Sequence, residues 1–421
     1  MNNFFGKKIL VLGGAAFHVK LVKAAQELGV FTIVTDNLPV NRSPGKQIAD
    51  ADWDIDIYDI DGLANECRKC GVNGVISGWL DPCQKPYAEL CKKLGLPCYG
   101  TPEQFRKMTD KIFFKKMCYE YGVDTIPEYS IEEAINGKIE YPVFVKPNDS
   151  RGSRGQTICY THDELVKAIA LARAESSNGK AIIEKYIRGS QEFHVTYFFV
   201  NGEPFLLRTS DNYCGDEKLN MQKVVSCAIM PSRFTQKYLE YAHAKVVAMF
   251  KALGVKNGPI FMQGFEDHGV FRFFDPGLRF PGVDYELVFR KVFGIDLMQA
   301  MVQIALTGHC AVRIPTDAVW LKGNRGAVLY LTVGEGHIAK IVGEHAVKSH
   351  ESVVSYLPRC QEGDNIVWSY NVNQRLAEID LLAENTDKLL EAITFVNSSL
   401  CALDDSGNDI VFARFDTSRV K

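Results

Sequence analysis

The sequence predicts an α/β protein of several packed units, and three observations carry that expectation. Over the first hundred residues, apolar strands alternate with amphipathic helices, the pattern of a parallel sheet with crossover helices. A strand, a Gly/Ser-rich loop and a returning strand follow between Tyr141 and Tyr160. An apolar hairpin interrupted by polar residues then runs from Gly258 to Gly282. At 421 residues and 46% hydrophobic content, the chain has enough material for roughly two to four domains with real cores.

In chain order, Lys8 to Leu12 reads as a short buried strand leading into Gly13-Gly14-Ala15-Ala16. The helix after it places Leu21, Ala24, Ala25 and Leu28 on one face and is closed by Gly29. A second strand, Phe31 to Thr35, ends in Asp36; a helix near 61–70 and a strand at 75–77 continue the alternation. A nicotinamide dinucleotide site is one hypothesis for such a unit, but Gly-Gly-Ala-Ala lacks the Gly-x-Gly-x-x-Gly spacing that admits a pyrophosphate.

Thr101-Pro102-Glu103 carries helix-start signals, and Lys111 sits early in the following helix. The strand at 141–147 ends in Lys146, and the next segment contains Ser150, Gly152, Ser153 and Gly155 before a strand returns at 156–160. Two readings fit this loop: a cradle of backbone N–H groups for phosphate oxygens with Lys146 adding charge, or a plain surface hairpin loop. It is not a Walker loop, since the Gly-Lys-Ser/Thr element is absent. A strand from Ala181 ends in Glu184-Lys185-Tyr186-Ile187, and Glu192 opens another strand through Val200. Backbone and carboxylates there suit a purine edge and ribose hydroxyls, or they are edge-strand charges facing water.

The hairpin at 258–282 pairs two apolar runs across Asp267-His268-Gly269. Gln263 and Asp275 are placed to meet on neighbouring strands, with Arg279 just beyond the strand end. An amide oxygen, a carboxylate and an arginine in one place suit a metal-bound phosphate and a second anion, or the hairpin is structural with a buried Asp. Residues 207–216 read as a polar, turn-rich loop in which Arg208 or Asp211 faces substrate or solvent. One amphipathic helix is expected over 235–253 as core packing, with His243 in a surface or structural role, and another runs from the N-cap Asp296 to Leu306. Beyond Arg313-Ile314-Pro315 come strands at 328–333, 338–342, 366–370 and 375–382 and a capped helix at 386–398, none with a catalytic signature.

A net charge of −3 carries no electrostatic footprint for nucleic acid or an anionic membrane. No apolar run is long enough to span a bilayer, and the first residues do not open a signal peptide. The 12 cysteines are scattered, as expected of reduced thiols in a cytoplasmic protein. Cys67-Arg68-Lys69-Cys70 falls on a helix with no partner pair, so two ordinary thiols are expected there.

In this order the pieces resemble the ATP-grasp superfamily: Lys111 on a helix, strand–Lys146–Gly-rich loop–strand, Glu184-Lys185-Tyr186-Ile187 with Glu192, and Gln263 with Asp275-x-x-x-Arg279. The resemblance implies a Rossmann-like pre-ATP-grasp domain over 1–100, an ATP-grasp domain over 101–310 with a mobile lid at about 120–187, and a small C-terminal α+β domain over 311–421. It implies that Lys111 and Lys146 contact ATP phosphates and that Ser150, Gly152, Ser153 and Gly155 cover them. Glu184 and the backbone from Lys185 to Ile187 would hold adenine, and Glu192 the ribose. Asp275 and Gln263 would hold Mg²⁺, with Mn²⁺ as an alternative, and Arg279 would face an acyl phosphate. Two departures stand out: Gln263 replaces the family's usual first carboxylate, and Gly277 stands where the family places an Asn ligand. The activity implied is ATP-dependent ligation of a small-molecule carboxylate to an amine, or to a thiol, with a homodimer left open. The alternatives are a carbamoyl-phosphate-synthase-like or carboxylase-like activity on bicarbonate, a nucleotide-binding protein without ligase turnover, and a nicotinamide-dependent oxidoreductase.

Overall fold

The computed structural model describes residues 4–148, 155–215, 224–282, 285–369 and 374–420. Strands β1 (Lys8–Leu12), β2 (Phe31–Thr35), β3 (Ala51–Trp53) and β4 (Gly74–Ile76) form a parallel sheet in the order β3-β2-β1-β4. Ile9 to Leu12 have no solvent exposure, as a strand covered by helices on both faces requires. The turn after β1 is filled from within. A Cβ on Gly14 would lie 1.9 Å from Ser43 Oγ and 2.6 Å from Asp36 Oδ2. Asp36 itself accepts a hydrogen bond from Ser43 Oγ at 2.7 Å and pairs with Lys46 at 3.2 Å. The Asp36 carboxylate is thus engaged within this unit by Ser43 and Lys46.

A small antiparallel sheet, β5 (Glu128–Tyr129), β6 (Val143–Pro147), β7 (Thr157–Cys159) and β8 (Ala181–Lys185), is ordered β5-β8-β6-β7. Its apolar face packs on helix His162–Glu175 through Val143, Val145, Ile183, Leu165 and Ile169, a core separate from the main one. The largest sheet is antiparallel and contains β9 (Gln191–Val200), β10 (Glu203–Cys214), β11 (Val225–Met230), β12 (Gly258–Asp267), β13 (Val270–Gly277) and β14 (Arg325–Val333). Its order is β13-β12-β9-β10-β11-β14, continued without a break by Arg375–Ala383 and Val353–Pro358.

The β12–β13 hairpin closes through His268 (φ 49°) and Gly269 (φ 99°), the two left-handed residues that a tight two-residue turn demands. That turn fixes the register, and Gln263 stands directly opposite Asp275 with an irregularity immediately after it.

Three expectations are corrected. Residues 207–214 are not a polar loop; they belong to β10, a central strand between β9 and β11. Its polar side chains are paired inside the protein: Arg208 donates to Ser210 Oγ, and Asp211 accepts from Ser232 Oγ and the Arg233 N–H. The helix expected over 235–253 is two helices, Thr235–Tyr241 and His243–Leu253, broken at Ala242. The strands expected at 338–342 and 366–370 shrink to Lys340–Val342 and Asn365–Ile366, and Tyr370 lies outside the described residues. His243 is structural, its Nδ1 2.7 Å from Tyr197 Oη. None of the 12 cysteines is in a disulfide, Cys67 and Cys70 among them. No helix among the described residues is long and apolar enough to cross a membrane.

Candidate active site

A cleft of about 530 Å³ opens where the small sheet faces the hairpin end of the large one. Its lining combines apolar side chains, Ile126, Phe144, Ile158 and Ile187, with charged ones, Lys111, Lys146, Glu184, Asp275 and Arg279. That mixture suits a molecule with both a flat apolar ring and an anionic tail, and the size is that of a small-molecule site.

Lys111 opens helix Lys111–Glu120, whose first turn is fixed by the Asp110 side chain accepting from the Ile112 and Phe113 N–H groups. One helical turn later, on the same face, comes Lys115. Lys115 and Lys146, the latter at the end of β6, flank the Glu184 carboxylate at the end of β8, whereas Lys111 faces Asp275. Lys146 Nζ lies 2.7 Å from one Glu184 oxygen and Lys115 Nζ 2.5 Å from the other. Lys115 also reaches Glu128 at 2.6 Å. Glu184 and Lys146 are 1% and 3% exposed. Burial works against the Glu184 carboxylate, but the two lysines outweigh it and hold its pKa below the ordinary value. Burial also pulls Lys146 down, and the nearby Lys111 and Lys115 charges add to that against the attraction of Glu184. An anion entering this corner meets a cluster of cations balanced by one buried carboxylate.

Glu192, at the start of β9, accepts from Asn212 Nδ2 at 2.9 Å and from Cys214 Sγ at 3.1 Å on the neighbouring strand. Burial, and then the charge of Asp275, raise its carboxyl above the usual range. Asp275 is the more exposed carboxylate, with Lys111 Nζ 3.7 Å from its Oδ1. Among the described residues no three His, Cys, Asp or Glu side chains are grouped to hold a metal ion. Gly277 cannot take a larger ligand as the site stands, because a Cβ there would lie 2.2 Å from the Phe261 ring. That ring instead lies 4.9 Å from the Arg279 guanidinium carbon.

The cleft gathers Lys111, Lys146, Glu184, Lys185, Tyr186, Ile187, Glu192, Gln263, Asp275 and Arg279, residues spread over 169 positions. Gly155 is not on its wall; it packs with φ +67° against Pro147 and Glu175. Ser150, Gly152 and Ser153 lie outside the described residues. Sequence reasoning missed Lys115, Asp81, Asn212, Cys214 and Arg419. The four-residue spacing from Lys111 was a usable signal for Lys115. Asn212 and Cys214 became visible only once 207–214 proved to be a strand, where alternate residues share a face. Arg419 gave no signal.

The description "Carbamoyl-phosphate synthase L chain, ATP binding domain" matches residues 110–310. The 2-oxoglutarate carboxylase small subunit of Hydrogenobacter thermophilus is 26% identical over 321 residues, 71% of this chain and 66% of that one. This chain therefore spans just under two thirds of that relative's length. Among solved structures, the biotin carboxylase domain of the same organism's 2-oxoglutarate carboxylase superposes with a TM-score of 0.77 at 20% identity, covering 93% of this chain and 89% of that one. The L-amino acid ligase of Bacillus licheniformis gives 0.76 at 17% identity, covering 95% and 99%. The matched domain and the relatives agree with the motif order: residues 110–310 match an ATP-binding domain of the carbamoyl-phosphate synthase type, and the chain shares its fold with biotin carboxylase and amino acid ligase structures.

Proposed function

We propose that the protein is an ATP-dependent carboxylate–amine ligase working through an acyl phosphate. The observation that carries this reading is that one cleft is lined both by Lys111, Lys146 and Arg279 and by the apolar side chains of Ile126, Phe144 and Ile187. Adenine would lie against Ile126, Phe144 and Ile187, with Glu184 and the 185–187 backbone at its edge and Glu192 at the ribose. Lys111 and Lys146 would contact the phosphates. A substrate carboxylate oxygen would attack the terminal phosphorus and ADP would leave; the amine nitrogen would then displace phosphate from the acyl carbon and lose a proton. Arg279 and the lysines would neutralise the charge that develops on the transferred group.

The donors present fit a divalent cation carried in largely by the nucleotide. Asp275 and Gln263 would hold Mg²⁺, or Mn²⁺, with one carboxylate and one amide oxygen, and water would supply the rest. When bound, the ion supplies further neutralisation of the phosphoryl oxygens. A division into parts at about residues 100 and 310 with a lid over 120–187, a homodimer, and a cytoplasmic location belong to the same proposal. The free cysteines support that location, and the solved 2-oxoglutarate carboxylase domain is described as a dimer.

A second reading takes bicarbonate as the carboxylate. It is favoured by the names of the curated relatives, which include biotin carboxylase of Pseudomonas aeruginosa, and by the bicarbonate bound in the solved domain. An ADP-release screen over pooled carboxylates, bicarbonate among them, with amine and amino-acid acceptors separates these. Release that needs both a carboxylate and an amine supports the ligase. Release with bicarbonate alone supports the second reading. Nucleotide binding with no release under any pair leaves a binding protein and removes both.

A further inference from the structure

The unit built on β1–β4 reaches into the cleft through helix Asp81–Leu94. Its first residue meets Arg279 across 198 positions of sequence. Asp81 Oδ1 accepts from Arg279 Nε at 2.5 Å and Oδ2 accepts from Nη2 at 2.8 Å, so one full edge of the guanidinium fork is taken. Nη1 donates to the Phe280 carbonyl at 2.9 Å, and the guanidinium rests on the Phe261 ring. The preceding residue is gripped from the same side. The Leu278 carbonyl accepts from Gln84 Nε2 at 3.3 Å and from Tyr99 Oη at 3.2 Å. A Cβ on Gly100 would meet Leu278 Cδ2 at 2.9 Å, so the two segments are in close contact. Asp81 and Arg279 both line the cleft.

We propose that Asp81 is a positioning residue for the anion subsite: the N-terminal unit sets the direction of Arg279, leaving its free N–H edge toward the phosphate released in the reaction. This rests on the ligase reading above. A flexible arginine beside a cluster of lysines would swing away from like charge toward solvent. Asp81 holds the fork by two parallel hydrogen bonds, which a single neutral acceptor cannot do. Asparagine turns one of those acceptors into a donor facing a donor, so Asp81→Asn releases the fork. Glutamate keeps the bidentate chemistry one methylene further out.

Inorganic phosphate is the probe, titrated calorimetrically with and without saturating MgADP. The proteins are the full chain and its Asp81→Asn, Asp81→Glu, Tyr99→Phe and Arg279→Lys variants, and the Asp81→Asn/Arg279→Lys double variant. The expected result is a phosphate affinity weakened about tenfold in Asp81→Asn, with ADP affinity changed about twofold or less. Asp81→Glu should recover part of the loss, and Asp81→Asn should add little once Arg279 is Lys. Additive losses, an equal loss of ADP and phosphate, or a parent that binds ADP but never phosphate overturns the inference while leaving the nucleotide site in place. A parent that binds phosphate with the expected coupling but never ADP keeps the inference and removes the ligase reading. If Asp81→Asn does not fold, Tyr99→Phe and Asp81→Glu take its place, each expected to weaken phosphate more than ADP; unchanged phosphate affinity in both overturns the inference.

Discussion

At the residue scale, Glu184 and Lys146 hold each other in place, and each is costly to leave alone. Removing one partner of a buried pair strands the other charge, a loss of about 3–5 kcal/mol. Glu184→Ala should therefore lower the midpoint of urea unfolding as well as nucleotide affinity. Lys146→Ala should weaken ATP binding by about 1.5–3 kcal/mol in calorimetry, the worth of a charge-assisted contact. Glu192 makes the opposite case. Its folded pKa lies above the reference 4.5 because burial disfavours the carboxylate. The folded state thus binds that proton more tightly than the unfolded one, so the group's contribution is fully present below about pH 4.5 and is lost as pH rises through the folded value. Glu192→Gln should raise the melting temperature at pH 7.5 and match the parent near pH 4.5, while weakening ATP binding. An equal shift at both pH values would count against burial as the cause. At the proposed metal site, Asp275→Asn should abolish turnover while ATP still binds, and Gln263→Glu should lower the free Mg²⁺ needed for half-maximal rate. A titration of rate against free Mg²⁺ checks both.

At the element scale, the hairpin was legible because its turn chemistry and its strand pattern agree. Asp267-His268-Gly269 fixes a tight turn, and the turn fixes that Gln263 faces Asp275. Gly269→Val forces a branched residue to φ 99° and should cost about 1–2 kcal/mol by chemical denaturation. β10 was illegible for the opposite reason. Its run Arg208-Thr209-Ser210-Asp211-Asn212 looks like solvent-facing loop, yet all five are buried. Thr209, Asp211 and Asn212 are partnered by Thr235, Ser232 and Glu192, each 20 or more positions away in sequence, and no local pattern announces them. The break at Ala242 likewise carries neither Gly nor Pro, so periodicity ran straight through it.

At the scale of the whole molecule, the cleft is assembled from segments far apart in the chain. Asp81 comes from the first sheet's unit, Lys146 and Glu184 from the small sheet, Asp275 and Arg279 from the hairpin, and Arg419 from the turn Thr417–Arg419. The residues with motif spacing could be found in the sequence; those that act across unit boundaries, Asp81 and Arg419, could not. The central claim is that a carboxylate is activated by phosphoryl transfer inside this cleft. Isotope transfer tests it most directly. With an ¹⁸O-labelled carboxylate that supports ADP release, the account predicts one labelled oxygen in each phosphate released, and loss of that transfer in Asp275→Asn. ADP release with unlabelled phosphate, its fourth oxygen drawn from water, would contradict it.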